Sequence, residues 1–383
     1  MKNIVLLGAT GSIGKSCLNV IRQNKEHFHL FGIGLGSNLD RAQEIAKEFN
    51  PDHIFVAQSQ TDKSHIFWQD HSNTLSSEDE LRALIQDSSV DIVISAISGF
   101  AGLKASYFAI EAGKVILIAN KESIVAAGDI LMPLAETKNS QIIPVDSEHN
   151  ALYQCLPSKR NISEISKILI TASGGPFREK SLGDLRGVSL NDALNHPTWS
   201  MGAKITIDSA TLVNKCLELI EAHYLFNIPE SQIEVVVHPQ SIIHSMVTFI
   251  DGSTIGQMSN PSMEVPISHA LGMGGRLPID FQEIDFSKLT LSFEPISDDR
   301  KIIFDMAREV CNKKGNLGVI FNASNEIAVD AFINKNIGFI DIYEVIRRTF
   351  DCFSCSKVST LDEIFEYDKE ARIQAEKVIK SLH

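Results

Sequence analysis

The chain has 383 residues, of which 44% are hydrophobic and 22% charged, and this composition excludes a disordered or a fibrous protein. The length predicts two or three domains. The formal net charge of -13 argues against a broad nucleic-acid or membrane-binding surface, while one local basic pocket for a phosphate group is compatible with it. Small-molecule chemistry is therefore favoured.

The cysteines and the start of the chain predict a cytoplasmic protein. Six cysteines are scattered along the sequence, which is typical of a reducing compartment rather than a disulfide framework. A strand is predicted directly after Lys2, so no signal or transit peptide is expected. No apolar run reaches the roughly 18 to 20 residues that span a bilayer.

The first part of the chain predicts a Rossmann-like, doubly wound parallel sheet. Helices are predicted at 12–24 and 39–49, and strands at 3–7, 29–34, 53–57, 91–95, 114–119 and 141–145. Strands that alternate with helices are typical of parallel sheets covered on both faces. We therefore expect a dinucleotide-binding domain over residues 1–145.

The remainder predicts two further domains and a lid. Strands at 166–171 and 234–249 and a helix at 210–226 indicate an α+β domain over residues 146–276, with a polar lid at about 173–203. Residues 277–299 show little periodicity and are expected to connect domains. Helices predicted at 301–313, 323–334, 340–350 and 362–382 indicate a C-terminal helical bundle over 300–383.

Gly8, Gly11 and Gly14 lie between the first strand and its helix. A tight turn there lets backbone amides and the helix N-terminus face a pyrophosphate. The spacing departs from the commonest fingerprint, so an ordinary glycine turn is the alternative. The second strand ends without the acidic residue that holds the ribose in NAD sites, which favours NADP.

Ser37, Asn38 and Arg41 follow this second strand and are candidates to hold a 2'-phosphate. A solvated loop with Asn38 as a helix N-cap is an equally good interpretation.

Asn120, Lys121 and Glu122 follow the strand predicted at 114–119, at the sheet edge where open α/β domains bind ligands. A lysine there suits a negatively charged oxygen, and Asn120 and Glu122 would face the cofactor. An exposed ion pair is the alternative.

Asp146, Ser147 and Glu148 follow the strand predicted at 141–145. Alternation along an extended chain points the two carboxylates the same way, as in half of a magnesium or manganese site. An acidic helix N-terminus is the alternative.

Asn214, Lys215 and Glu218 share one face of the helix predicted at 210–226, and Ser209 lies just upstream. Either this face is a salt-bridged surface or it lines a cleft. In a cleft, Glu218 would supply a third carboxylate to the metal.

The predicted lid begins at Ser173 and ends with a segment that contains His196, Trp199 and Gly202. Trp199 is one of only two tryptophans and lies in a polar stretch. A lid that closes over substrate excludes water from a reactive carbonyl intermediate.

Together these motifs resemble the 1-deoxy-D-xylulose 5-phosphate reductoisomerase family over essentially the whole chain. The motifs that carry the resemblance lie at residues 8–14, 119–123, 146–151, 172–177, 196–202 and 208–222. The resemblance implies an NADPH-dependent oxidoreductase with isomerase activity that acts as a homodimer in isoprenoid biosynthesis. Such an enzyme rearranges 1-deoxy-D-xylulose 5-phosphate and then reduces the product to 2-C-methyl-D-erythritol 4-phosphate.

The resemblance also implies the site residues. The divalent metal (magnesium, manganese or cobalt) would be bound by Asp146, Glu148 and Glu218. The catalytic residues would be Lys121, Glu148 and His196. The substrate would contact Lys121, Ser147, Glu148, Ser173, His196, Trp199, Ser209, Asn214, Lys215 and Glu218. The cofactor would contact Thr10, Gly11, Ser12, Ile13, Gly36, Ser37, Asn38, Asn120, Glu122 and Gly202.

Two positions depart from the family pattern. Ser37 stands where a basic residue is frequent in the family. Arg41 is therefore the stronger candidate to bind the 2'-phosphate. Cys216 replaces a common glycine, so we expect altered packing under the active-site helix and a thiol that is a candidate for oxidation.

Other motifs and classes of protein are weighed against this interpretation. Cys352 and Cys355 form a single pair without the second pair that zinc requires, so we expect a structural role. His238 and His244 lie in an apolar run, where packing or a subunit interface is expected. The rival functions are a metal-independent NADP-dependent dehydrogenase and a non-catalytic NADP(H)-sensing module.

Overall fold

The computed structural model describes residues 1–57, 65–71, 73–156, 162–199 and 201–382. Ser200 of the predicted lid lies outside these residues. The chain forms two compact units. The first unit comprises residues 1–120, 133–150 and 262–281, and the second unit comprises 121–132, 151–261 and 282–383. The division into domains at residues 145, 276 and 299 stays a prediction.

The strands follow one another along the chain as β1 (Lys2–Leu7), β2 (Phe28–Leu35), β3 (His53–Val56), β4 (Ile92–Ser95), β5 (Val115–Ile118), β6 (Ile142–Pro144), β7 (Ile165–Ala172), β8 (Ile233–Val237), β9 (Ile243–Phe249) and β10 (Thr254–Met258). The helices are α1 (Ser12–Gln23), α2 (Leu39–Phe49), α3 (Phe67–Asp70), α4 (Glu78–Gln86), α5 (Leu103–Glu111), α6 (Lys121–Lys138), α7 (Ser147–Cys155), α8 (Leu190–Leu194), α9 (Ala203–Thr211), α10 (Val213–Phe226), α11 (Glu264–Leu271), α12 (Lys301–Lys313), α13 (Leu317–Ile333), α14 (Asp341–Phe350) and α15 (Leu361–Lys380).

The first unit contains a parallel sheet with the strand order β3-β2-β1-β4-β5-β6. This is the order of dinucleotide-binding sheets, in which ligands bind at the carboxyl ends of the strands. Residues 4–7 of β1 are fully buried, as expected of a central strand covered on both faces. The predicted doubly wound fold is confirmed.

The segment around α11 belongs to the first unit, which the sequence did not indicate. Asn19 of α1 donates a hydrogen bond from Nδ2 to Glu264 Oε1 at 2.9 Å. Asn24 donates from Nδ2 to the carbonyl of Pro278 at 3.0 Å. These contacts join residues about 250 positions apart, beyond the reach of local patterns.

The second unit contains a mixed sheet with the order β10-β9-β7-β8, in which β7 runs parallel to β8 and antiparallel to β9. The single strand predicted at 234–249 is therefore wrong. The chain turns at residues 238–242, where Ser241 has φ 51. His238 accepts hydrogen bonds at Nε2 from the backbone N–H groups of Ile242 and Ile243, so it holds this turn together.

The helix predicted at 210–226 is also divided. Leu212, with φ 64, separates α9 from α10. A leucine in the left-handed region is uncommon, and neither glycine nor proline marks the break in the sequence.

The C-terminal helices are present as predicted, but α13 begins at Leu317 rather than at residue 323. Gly318 permits this start, because a Cβ there would lie 2.1 Å from the carbonyl oxygen of Val125. None of the helices in the described part of the chain has the length and apolar character needed to cross a membrane.

Lys314, just after α12, has φ 59 and ψ -145, a backbone conformation that glycine adopts without strain. Lys314→Gly relieves this backbone strain but loses the contact between the lysine ammonium and the ring of Tyr224. We expect the net effect to raise the free energy of unfolding by about 1 kcal/mol. The measurement is the melting temperature. Lys313→Gly, inside the helix, is the matched control and should lower stability by about 1 kcal/mol. Equal losses in both variants would contradict the strain.

Candidate active site

The turn after β1 in the first unit depends on glycine. Gly8 has φ 85, and a Cβ there would lie 2.2 Å from the carbonyl oxygen of Ala96. A Cβ on Gly14 would lie 2.3 Å from the carbonyl oxygen of Gly8. Only glycine therefore lets β1, the turn and α1 approach this closely.

The N-terminus of α1 suits an anion. Gly11 precedes the helix with extended backbone and no side-chain capping hydrogen bond, and the first turn contains no acidic residue. Thr10, Ser12 and Ile13 lie at the same helix end. Backbone N–H groups and the positive end of the helix dipole favour a pyrophosphate at this place.

The candidates for the 2'-phosphate lie beyond the end of β2. Gly36, Ser37 and Asn38 are exposed there. Asn38 caps α2, because its Oδ1 accepts a hydrogen bond from the backbone N–H of Arg41 at 3.1 Å. The guanidinium of Arg41 pairs with Glu44 in the next turn. Capping occupies one oxygen of Asn38, and its contact with the cofactor stays a prediction.

Asn120 lies at the carboxyl edge of the sheet, as predicted. Its buried side chain donates from Nδ2 to the carbonyls of Ile97 and Gly99, both at 2.7 Å. Asn120 thereby fixes the loop after β4 next to the end of β5.

Asp146, Ser147 and Glu148 lie where β6 leads into α7. Ser147 donates from Oγ to Glu148 Oε2 at 2.5 Å, and Asp146 Oδ1 accepts from the backbone N–H of Glu148 at 3.3 Å. Both carboxylates are half-buried. An oxygen-rich donor set of this kind fits magnesium or manganese better than zinc.

In the second unit, Lys121, Asn214, Lys215 and Glu218 form a buried cluster, which we call the lysine–glutamate cluster. Lys121 Nζ lies 3.2 Å from Glu218 Oε1 and 2.9 Å from Asn214 Oδ1. Lys215 Nζ lies 2.7 Å from Glu218 Oε2. An exposed salt-bridged surface is therefore excluded for this face of α10.

The lysine–glutamate cluster holds two ammonium groups and one carboxylate. Glu218 is 1% exposed, so water contributes little to balancing these charges. The two ammonium groups suit a negatively charged ligand, such as a phosphate or an ionised hydroxyl group.

His196 joins Ser173 and Ser209, two other residues predicted for the substrate. Its Nε2 lies 3.0 Å from Ser173 Oγ and 3.2 Å from Ser209 Oγ. Its Nδ1 accepts hydrogen bonds from the backbone N–H groups of Thr198 and Trp199. Because Nδ1 is an acceptor, the ring proton is assigned to Nε2.

The same geometry opposes a charged imidazole. Burial, followed by the positive charge of Lys215, lowers the pKa of His196 to about 4. A second ring proton would also face the two backbone N–H groups at Nδ1. His196 is therefore a neutral hydrogen-bond donor at pH 7.

Glu122 is occupied by a partner that the sequence did not suggest. Lys204 of α9 places Nζ 2.7 Å from Glu122 Oε1 and 2.9 Å from Asp208 Oδ2. The spacing of four residues between Lys204 and Asp208 was the only signal in the sequence, and it is common on helix surfaces.

The predicted lid is anchored in its first half. The buried guanidinium of Arg300 donates to the carbonyls of Phe177 and Lys180 at 2.8 and 3.1 Å. Asp299 Oδ2 accepts from the backbone N–H of Leu182 at 2.6 Å. Movement of the predicted lid would therefore be confined to its later residues, and that movement stays a prediction.

Trp199 and Gly202 lie at the end of the predicted lid. The half-buried ring of Trp199 is 6.1 Å from the ring of His244, and Gly202 precedes α9 as its N-cap. His244 is buried and bonds through Nε2 to Ser259 Oγ at 3.0 Å, which is a packing role.

Cys216, Cys352 and Cys355 lie in surroundings that do not activate a thiol. Cys216 is a buried residue of α10, and burial raises the pKa of its thiol well above the usual range. This favours the unreactive thiol. Cys352 accepts from Gln374 Nε2 at 3.3 Å, and Cys355 lies 3.5 Å from the carbonyl of Lys313.

A dinucleotide-type sheet combined with a separate unit that carries a buried charged cluster defines an α/β oxidoreductase. Three family models match successive parts of the chain. They describe 1-deoxy-D-xylulose 5-phosphate reductoisomerase over residues 4–128, its C-terminal domain over 142–226, and a further DXP reductoisomerase C-terminal domain over 258–374. The chain belongs to the 1-deoxy-D-xylulose 5-phosphate reductoisomerase family, which confirms the resemblance seen in the sequence.

Individual relatives agree with this assignment. The 1-deoxy-D-xylulose 5-phosphate reductoisomerase of Chlamydia caviae is 43% identical over 99% of this chain and 100% of its own. A crystal structure of DOX-P reductoisomerase in complex with NADPH, fosmidomycin and magnesium has a TM-score of 0.93 and 37% identity, covering 100% of this chain and 99% of that one. The Zymomonas mobilis enzyme in complex with NADPH has a TM-score of 0.90 and 38% identity, covering 99% of both chains.

The bonding of His196 predicts its titration. Between pH 6.5 and 4 the unfolded chain binds a proton at this residue that the folded chain does not, so stability should fall as pH falls through this range. NMR of histidine-labelled protein, with the signal assigned from a His196→Gln variant, should show a midpoint near pH 4. A midpoint near 6.5 would contradict the assigned ring state.

Proposed function

We propose that the protein converts 1-deoxy-D-xylulose 5-phosphate into 2-C-methyl-D-erythritol 4-phosphate, with NADPH and a divalent metal. The lysine–glutamate cluster carries this proposal. It combines a carboxylate suited to a metal with two ammonium groups suited to an anionic sugar phosphate. The cluster lies in a chain of the reductoisomerase family.

NADPH would bind the first unit, with its pyrophosphate at the N-terminus of α1. The absence of a side-chain cap and of acids in the first turn of α1 supports this placement. The 2'-phosphate would be held near Ser37, Asn38 and Arg41. The further cofactor contacts proposed are Thr10, Gly11, Ser12, Ile13, Gly36, Asn120, Glu122 and Gly202.

The metal would be held by Asp146, Glu148 and Glu218, which are all carboxylates as magnesium and manganese prefer. When bound, the metal polarises the carbonyl and hydroxyl oxygens of the substrate, and NADPH supplies the hydride.

Other residues of the chain are proposed to transfer protons and to bind the substrate. Lys121 and Glu148 are proposed to hold and move protons while the carbon skeleton rearranges by a retro-aldol and aldol sequence that precedes the hydride transfer. Ser173, Ser209 and Lys215 are proposed to hold the phosphate, together with Asn214, and Ser147 is proposed to contact the substrate beside Glu148.

His196 is proposed as a neutral donor toward the substrate through Nε2–H, because its Nδ1 is occupied by backbone N–H groups. Trp199 would close over the substrate next to it and exclude water. A role for His196 as a proton acceptor at neutral pH does not fit this bonding.

The family and the cysteine usage support two further proposals. We propose that the enzyme acts in the cytoplasm, since buried free thiols such as Cys17 and Cys216 suit a reducing compartment.

We also propose that it acts as a homodimer. Sedimentation of the purified chain tests the second proposal, and a monomer at assay concentrations would overturn it.

The activity is tested by following NADPH oxidation with 1-deoxy-D-xylulose 5-phosphate, after chelator treatment and again with added magnesium or manganese. Oxidation that requires both substrate and metal is expected. Oxidation without metal would favour a simple NADP-dependent dehydrogenase, and NADPH binding without turnover under any condition would favour a sensing module.

Replacing Glu218 with glutamine tests the metal site. Loss of the charge should lower metal-dependent turnover on the order of 100-fold or more and abolish the rise in melting temperature that magnesium produces. Glu234→Gln, at an exposed carboxylate paired with Lys167, is the matched control and should behave as the native protein. An unchanged magnesium shift in Glu218→Gln would disprove the ligand assignment.

The Arg41→Ala variant tests whether Arg41 binds the 2'-phosphate of NADPH. Loss of one charge-assisted hydrogen bond should raise the NADPH dissociation constant about 10-fold. The dissociation constant of NADH, which lacks this phosphate, should change by less than about 2-fold. Equal weakening of both cofactors would show that Arg41 acts only through the loop and its ion pair with Glu44.

A further inference from the structure

Lys204 is a cation shared by two carboxylates in the second unit. Its side chain is 27% exposed, whereas those of Glu122 and Asp208 are 10% and 1% exposed. The ammonium lies within 2.9 Å of one oxygen from each. The second oxygen of Asp208 accepts from Asn325 Nδ2 of α13 at 2.9 Å. Three helices, α6, α9 and α13, therefore meet at this group.

The two carboxylates are direct chain neighbours of proposed substrate residues. Glu122 follows Lys121, and Asp208 precedes Ser209. A bridge between Glu122 and Asp208 therefore joins the backbone beside Lys121, in the lysine–glutamate cluster, to the backbone beside Ser209, which contacts His196.

We propose that Lys204 is a positioning residue, which holds Lys121 and Ser209 at the separation that the reaction requires. This proposal rests on the proposed function, because it assigns both residues to one substrate. An error of about 1 Å in such a separation costs up to about 100-fold in rate.

The charges around Lys204 agree with a bridge. Burial opposes ionisation of Glu122, but the nearby ammonium outweighs burial and lowers the pKa of this carboxyl group. Burial raises the pKa of Asp208, and the ammonium offsets part of that rise. Glu326 of α13 adds negative charge near the ammonium and is itself paired with Arg372 of α15. Without Lys204, two adjacent carboxylates would repel each other.

This repulsion means that Lys204→Met is expected to be less stable as well as less active. The double variant Lys204→Met with Asp208→Asn separates the two effects. The amide removes the repulsion and keeps the contact with Asn325, but it does not restore the bridge between α6 and α9. Lys204→Arg keeps both the charge and the bridge.

The experiment measures melting temperature, kcat and KM for 1-deoxy-D-xylulose 5-phosphate, and the dissociation constant of inorganic phosphate. Relative to the native protein, Lys204→Met should lose about 10-fold or more in kcat and bind phosphate more weakly. The double variant should recover the melting temperature but not kcat. Lys204→Arg should retain kcat within about 3-fold, and Lys167→Met, at an exposed ion pair, should change neither quantity.

Recovery of kcat together with melting temperature in the double variant would overturn the proposal, because Lys204 would then act on stability alone. Native kcat in Lys204→Met, or an equal loss in Lys204→Arg, would overturn it as well. Failure of the proposed function is a separate result, since the native protein would then show no turnover with this substrate while still binding phosphate.

Discussion

The pairing of one buried carboxylate with two ammonium groups is the interaction on which the candidate site depends. Glu218 contacts Lys121 through one oxygen and Lys215 through the other, and removing it would take a carboxylate away from two buried cations. Breaking a buried ion pair in this way costs about 3–5 kcal/mol. The lysines come from different helices, so the same carboxylate that is proposed to hold a metal also fixes α6 against α10. Stability and chemistry are therefore coupled at this residue.

Much of the fold follows from local sequence patterns. The predictions are wrong or incomplete where contacts between distant residues determine the structure. The parallel sheet was predictable because buried strands such as β1 and β4 contain continuous apolar runs, at residues 4–7 and 92–94. The break at Leu212 was not predictable, because no glycine or proline marks it. The return of residues 262–281 to the first unit depends on pairs such as Asn19 with Glu264, which no local pattern reveals.

The candidate site was predictable in its chemistry but not in its supporting contacts. Charged residues that follow predicted strands, such as Lys121, could be identified as site candidates from their position alone. Lys204 could not be identified in this way, because a lysine four residues before an aspartate is common on exposed helices. The ring state of His196 depends on two backbone N–H groups in a loop, and only the folded chain brings them to Nδ1.

The anchor of Arg300 has a consequence for the evolution of the chain. The carbonyls of Phe177 and Lys180 receive their donor from a residue more than a hundred positions later, at the entrance to α12. A deletion or exchange of the C-terminal region that removed Arg300 would take the donor from both carbonyls, and the buried carbonyl of Phe177 would cost about 1–3 kcal/mol. The helical end is thus not an interchangeable module, because a replacement from another protein would have to place a hydrogen-bond donor beside these carbonyls.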